Sequence, residues 1–147
     1  MMYTLTASAT FDSAHFLAGY HGKCANLHGH TWRVEVQIFG ERVQWEGEKR
    51  GMILDFGDLK QEVRQLADSF DHALIYEEDT LQNTTVEALL AEGFRLISVP
   101  FRPTAECLAK YFYTKLKQSL PVYKVTVYET PENCASYIEE EFMYERN

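Results

Sequence analysis

Over residues 30–39 the chain alternates, with Trp32, Val34, Val36 and Ile38 on one parity and Thr31, Arg33, Glu35 and Gln37 on the other. A two-residue period is that of a strand with one apolar face, and His28 and His30 share the apolar parity. Residues 3–11 form another β-prone run that ends near His15; pairing of the two strands would bring His15 beside the H-x-H. Further strands are expected over 124–129 and 136–142, flanking the turn-like segment Thr130, Pro131, Glu132 and Asn133, so the chain reads as two hairpins. Between the hairpins the spacing becomes helical. Leu59, Val63, Leu66 and Phe70 make one stripe over 58–70, with Asp55 as its cap. Leu108, Phe112, Leu116 and Leu120 make another over 104–120, opened by Pro103 and Thr104. The interval 77–102 reads as an inserted excursion. Thr84 and Glu87 have capping-box spacing, Val86, Leu89 and Leu90 are apolar, Gly93 can stop a helical turn, and 95–99 is a short extended piece.

A length of 147 residues with 46% hydrophobic content is that of one domain able to bury its own core, so a single domain over 1–147 is expected. The balance of 14 Lys plus Arg against 22 Asp plus Glu gives a formal charge of −8, and no basic cluster extends beyond Lys49 and Arg50. Nucleic acid and anionic membranes are therefore not expected as partners. No charged leader precedes an apolar stretch and no segment has the length of a membrane span, so a cytoplasmic protein is expected. Cys24, Cys107 and Cys134 are odd in number and lack C-x-x-C spacing, which argues against a disulfide framework or a cysteine-only zinc site.

The candidate chemistry gathers near the N-terminus: His15 in FDSAH, then Cys24, His28 and His30 in GKCANLHGH. Three neutral imidazoles on Zn²⁺ leave a position for water or substrate, the arrangement of catalytic zinc. A zinc ion close by would favour the thiolate of Cys24. Glu129 shares parity with Val125 and Val127, which places a carboxylate toward the apolar side: either a strand-end glutamate reaching solvent, or a group accepting two hydrogen bonds from an amidine-like N–H pair on a heterocycle. Asp71 and His72 are either a turn and a helix cap, or an oriented imidazole in a proton relay. Glu106 is explained by the helix dipole alone, and Lys23 by solvation.

The ordered set F-D-x-A-H, G-K-C-x3-H-G-H, D-F-x-D-L-K, D-H-x-x-L, P-T-x-E and Y-E-T resembles the 6-pyruvoyltetrahydropterin synthase family over nearly the whole chain. The three residues between Cys24 and His28 match the bacterial branch that forms 6-carboxytetrahydropterin. The resemblance implies an α+β tunnelling fold: a four-stranded antiparallel sheet backed by two helices, closed into a trimeric β-barrel, with two trimers stacked as a homohexamer and active sites between subunits. It implies zinc on His15, His28 and His30, Cys24 as the base, Asp71 and His72 as its relay and Glu129 as the pterin anchor. Thr104 and Glu106 would lie near the pocket, with Lys23 as a phosphate contact. The excursion departs from short family members and makes substrate preference its open point.

The implied reaction converts 7,8-dihydroneopterin triphosphate into 6-carboxy-5,6,7,8-tetrahydropterin, releasing triphosphate and acetaldehyde, as a step toward 7-deazaguanine and queuosine. The alternative product is 6-pyruvoyltetrahydropterin. Two rivals come from other classes. One is a cupin-like metalloprotein using His28, His30 and Glu35, although its second motif is missing and Glu35 has the wrong parity. The other is a zinc hydrolase or hydratase working through metal-bound hydroxide, with no need of a cysteine.

Overall fold

The computed structural model describes residues 1–142. In chain order the elements are β1 (Tyr3–His15), β2 (His28–Gly40), α1 (Phe56–Phe70), β3 (Ala73–Glu77), α2 (Asn83–Ala91), β4 (Leu96–Val99), α3 (Ala105–Leu116), β5 (Val122–Thr130) and β6 (Asn133–Tyr137).

β1 and β2 pair antiparallel without interruption from Tyr3↔Gly40 to His15↔His28. This register sets Ala7, Ala9 and Phe11 opposite Val36, Val34 and Trp32, so both strands turn the same parity into the core. α1 packs on β1 and α3 on β5, covering that face. Phe11 stacks on Trp32 with ring centroids 6.0 Å apart, and the edge of Phe112 meets Phe11 at 6.1 Å. With Trp32 fully buried, truncation to Ala would cost about 3–5 kcal/mol through lost transfer energy and the cavity left behind. Asp55 caps α1 by accepting from the Gly57 N–H at 2.6 Å, and Thr104 caps α3 by accepting from the Cys107 N–H at 3.3 Å. Both caps thus fall where the sequence predicts, while α1 starts at Phe56, two residues ahead of the expected 58.

The sheet corrects the expectation of four strands and two helices: it has six strands in the order β4-β3-β1-β2-β5-β6, with three α-helices among the described residues. The antiparallel unit β1-β2-β5-β6 is present as expected. The excursion is not outside the sheet, because β3 pairs parallel with β1 through Ser13–His15 and β4 pairs parallel with β3. Short parallel strands have no tight turn between them and leave no hairpin signature.

Smaller corrections have similar causes. The last strand lies over Asn133–Tyr137 rather than 136–142, because a two-residue turn at Pro131 and Glu132 starts it early; Glu140–Phe142 then coils into a 3₁₀ turn, just after Glu139 pairs with Lys117. Ala67, not Leu66, completes the buried stripe of α1, and α3 ends at Leu116, with Leu120 buried beyond it. α2 begins after Gln82, so Thr84 lies inside the helix rather than capping it, while Gly93 follows its end at φ 84° as expected. No helix among the described residues is long and apolar enough to cross a membrane.

Candidate metal centre and active site

The β1–β2 register carries the last pair, His15↔His28, and sets His30 opposite Ser13. All three imidazoles therefore meet at one end of the hairpin, and their ligating nitrogens lie within 4.8 Å of one another. The ring Nδ1 of His15 donates to the Pro103 carbonyl at 2.8 Å, and that of His28 to the Asn26 carbonyl at 2.7 Å. Since a carbonyl only accepts, each neutral ring carries its proton on Nδ1 and leaves a bare lone pair on Nε2. Those two Nε2 atoms face each other at 3.1 Å. Two lone pairs so close repel unless a cation or a proton sits between them.

His30 adds the decisive polar orphan. Among the described residues its Nε2 is buried without a hydrogen-bond partner. Glu129 Oε1 stands 3.4 Å away, near enough for charge interaction but not aligned to bond. Burial lowers the basicity of His15, outweighing the bond to Pro103, and burial likewise lowers that of His30, outweighing the attraction of Glu129. Metal binding requires neutral rings, oriented by carbonyls behind them and converging on an unfilled point. His15 and His28 have such carbonyls behind them, and His30 contributes a nitrogen without a competing hydrogen bond, so the three histidines fit a divalent metal ion. Pro103 and Asn26 supply these orienting carbonyls and went unrecognised in the sequence, because a backbone acceptor has no side-chain signature.

Two cavities meet at this centre. Below the pair Arg33↔Tyr128, β2 and β5 no longer pair, and a cleft of about 500 Å³ opens between Gly29–Thr31 and Glu129–Pro131. Glu129 lines it, with the Arg33 guanidinium over the Tyr128 ring at 4.1 Å. Such a cleft offers a carboxylate acceptor beside the backbone of β2 that has lost its strand partner, a combination suited to a flat heterocycle with N–H groups.

The second cavity, about 690 Å³, also touches Gly29, His30 and Thr31 but lies toward β3, with His72 on its wall and Leu89, Phe94 and Leu96 from the excursion. There Asp71 Oδ2 accepts from His72 Nδ1 at 2.8 Å, while Asp71 Oδ1 accepts from the Asp12 N–H at 2.8 Å. The Asp12 N–H holds the Asp71 carboxyl below its usual range, with His72 adding to the effect, and Asp71 raises the His72 imidazole above its usual value. His72 adopts φ 52°, in the left-handed region that a residue with a side chain seldom occupies. The part of Asp12 in holding Asp71 was also unforeseen, since it joins positions far apart in sequence.

The remaining predicted residues sit apart within one chain. Cys24 lies on a 3₁₀ turn at Lys23–Ala25, whose carbonyl accepts from the Leu17 N–H at 2.9 Å, and it is half-buried. Neither cavity includes Cys24, Lys23, Thr104 or Glu106 on its wall. Lys23 and Glu106 are exposed, and the Thr104 hydroxyl is occupied as the α3 cap.

The family model described as 6-pyruvoyl tetrahydropterin synthase matches residues 4–140. The chain belongs to this family. Among relatives in the pterin synthase family, the 6-carboxy-5,6,7,8-tetrahydropterin synthase of Haemophilus influenzae is 37% identical over 142 residues, covering 94% of this chain and 100% of the relative. The enzyme of that name from Aquifex aeolicus is 31% identical over 129 residues, covering 80% and 77%. The solved Caenorhabditis elegans 6-pyruvoyl tetrahydropterin synthase superposes with a TM-score of 0.66 at 26% identity, covering 95% of this chain and 96% of that one. An uncharacterised protein from Wolinella succinogenes shares the fold with a TM-score of 0.80 at 20% identity, covering 95% and 99%. The pterin synthase fold leaves the cupin rival without its ligand, because Glu35 points away from the histidines and lies 3.8 Å from Arg33.

Proposed function

We propose that this protein converts 7,8-dihydroneopterin triphosphate into 6-carboxy-5,6,7,8-tetrahydropterin, with release of triphosphate and acetaldehyde, using zinc, and that the product enters 7-deazaguanine and queuosine synthesis. The observation that carries the reading is that one ligating nitrogen from each of His15, His28 and His30 lies within 4.8 Å of the others, with two rings fixed by carbonyls and the Nε2 of the third left without a partner among the described residues. The names of the relatives supply the reaction class.

His15, His28 and His30 would hold zinc, whose Lewis acidity polarises the hydroxyls of the substrate side chain. Glu129 would turn from His30 into the cleft it lines and accept the two N–H groups at the amidine-like edge of the pterin. Cys24, as thiolate, would take the C–H proton of the side chain, and His72, oriented by Asp71, would carry protons to and from the reacting carbons. Lys23 would contact the triphosphate, with Thr104 and Glu106 near the pterin pocket.

Within one chain Cys24 opens onto neither cavity, so the thiol of one subunit and the Asp71–His72 pair of another would complete each site. This supports the homohexamer, a dimer of trimers, that the family resemblance implies.

The test is to incubate zinc-loaded protein with 7,8-dihydroneopterin triphosphate and identify the pterin by mass spectrometry, alongside Cys24→Ala. The carboxylated product with acetaldehyde is expected, and the variant should retain zinc while losing turnover by two orders of magnitude or more, roughly the worth of a positioned base. A pyruvoyl product would move the protein to the other activity of its family. Full turnover in the variant would remove the thiol as base.

A further inference from the structure

The excursion between β3 and α3 supplies one side chain that reaches back to the relay. Arg95, the residue before β4, donates from Nη1 to the carbonyls of Asp68 at 3.3 Å and Asp71 at 2.7 Å, and from Nη2 to that of Ser69 at 2.6 Å. Its own carbonyl accepts from the Leu74 N–H at 3.0 Å. Arg95 therefore grips the chain on both sides of His72: its guanidinium holds Asp71 and its main chain holds Leu74.

A guanidinium over helix-end carbonyls is favourable in itself, and α1 has no basic residue of its own in its last turn. That alone would make Arg95 a cap. The contact to Asp71 is a different matter, because Asp71 lies beyond the helix and its carbonyl leads directly into the left-handed His72 at φ 52°. A non-glycine residue in that region persists only where its surroundings hold it there. On the other side, the His72 N–H donates to the Asp12 carbonyl at 2.6 Å. Between β1 and Arg95, the backbone at 71–72 is held from both directions.

We propose that Arg95 is a positioning residue, which fixes the backbone of Asp71 so that the Asp71–His72 pair is presented to the cavity beside His30. This rests on the reading of that pair as the proton relay. It also gives the excursion a purpose: β4 runs beside β3 and delivers the guanidinium to the end of α1. A lysine could not reproduce the grip, since its single ammonium cannot span three carbonyls in a plane.

The test uses zinc-loaded full-length protein with Arg95→Gln and Arg95→Lys, reading three quantities: zinc content, kcat and KM with 7,8-dihydroneopterin triphosphate, and the NMR titration of the His72 ring, assigned by comparison with His72→Ala. The charged neighbours of that ring are Asp71 and, from β1, Asp12. In Arg95→Gln the titration midpoint of His72 should fall back toward that of a free imidazole as the pair loosens. kcat should fall by about ten- to a hundred-fold, the order expected for a displaced catalytic group, while KM moves less and zinc stays bound. Arg95→Lys should recover part of both effects, and it carries the same readout if the glutamine variant does not fold. An unchanged His72 titration in a folded variant overturns the positioning role. A shifted titration with full turnover, in Arg95→Gln and His72→Ala alike, keeps the clamp and overturns the relay.

Discussion

At the scale of single residues, the site is built from opposed ionisation tendencies. Burial lowers His15 and His30, whereas Asp71 raises His72. In metal-free protein two ring titrations should therefore fall below 6.5, the ordinary histidine value, and that of His72 above it; proton NMR of the ring C–H signals checks this. The sign for stability follows. Unfolded His15 and His30 take protons as pH drops through about 6.5, while the folded state resists, so the metal-free fold loses stability on acidification. The His72 contribution runs the other way, present below the unfolded value and lost as pH rises through the folded one. Because the His72 ring is exposed to solvent, whereas His15 is buried and His30 half-buried, those two should dominate. Urea denaturation of metal-free protein should give lower stability at pH 5 than at pH 7.5; equal values would count against buried, neutral rings. The histidines were legible in the sequence because strand parity fixes the direction of a side chain. Their carbonyl partners at Pro103 and Asn26 were not.

At the scale of elements, legibility followed the length of the pattern. The hairpin and the two core helices repeat their spacing often enough to be read, and even the caps Asp55 and Thr104 fall where side-chain chemistry demands. Asp55→Ala should cost about 1 kcal/mol in urea denaturation, the usual worth of an N-cap, with no change in metal content. β3 and β4 were missed as partners in the sheet because each is short and joined in parallel through a helix. α2 was recognised through its apolar residues, yet it contributes no buried residue, so its spacing carried less information than it promised. What the excursion does for the site lies in Arg95, a contact across 24 positions that no local pattern encodes.

At the scale of the whole molecule, metal binding by the three histidines would link occupancy to folding. A ligand that binds only the folded state at a hundred times its Kd adds about 2.7 kcal/mol, so zinc should raise Tm and a chelator should reverse the gain. His28→Ala should abolish the zinc-dependent shift, as read by thermal denaturation with and without metal. Light scattering coupled to size exclusion should report the mass of six chains; a monomer retaining full turnover would remove the requirement for a shared site.

The reach of β1 has a further consequence. It spans thirteen residues, yet β3 pairs only with Ser13–His15 and Asp12 is bonded to Asp71 and His72, leaving Tyr3–Phe11 without a strand neighbour on that side among the described residues. An open ladder of this length accepts any extended chain that offers a matching row of amides. A separated chain is therefore expected to present this edge, along one of its two thirteen-residue strands, to any extended segment it meets.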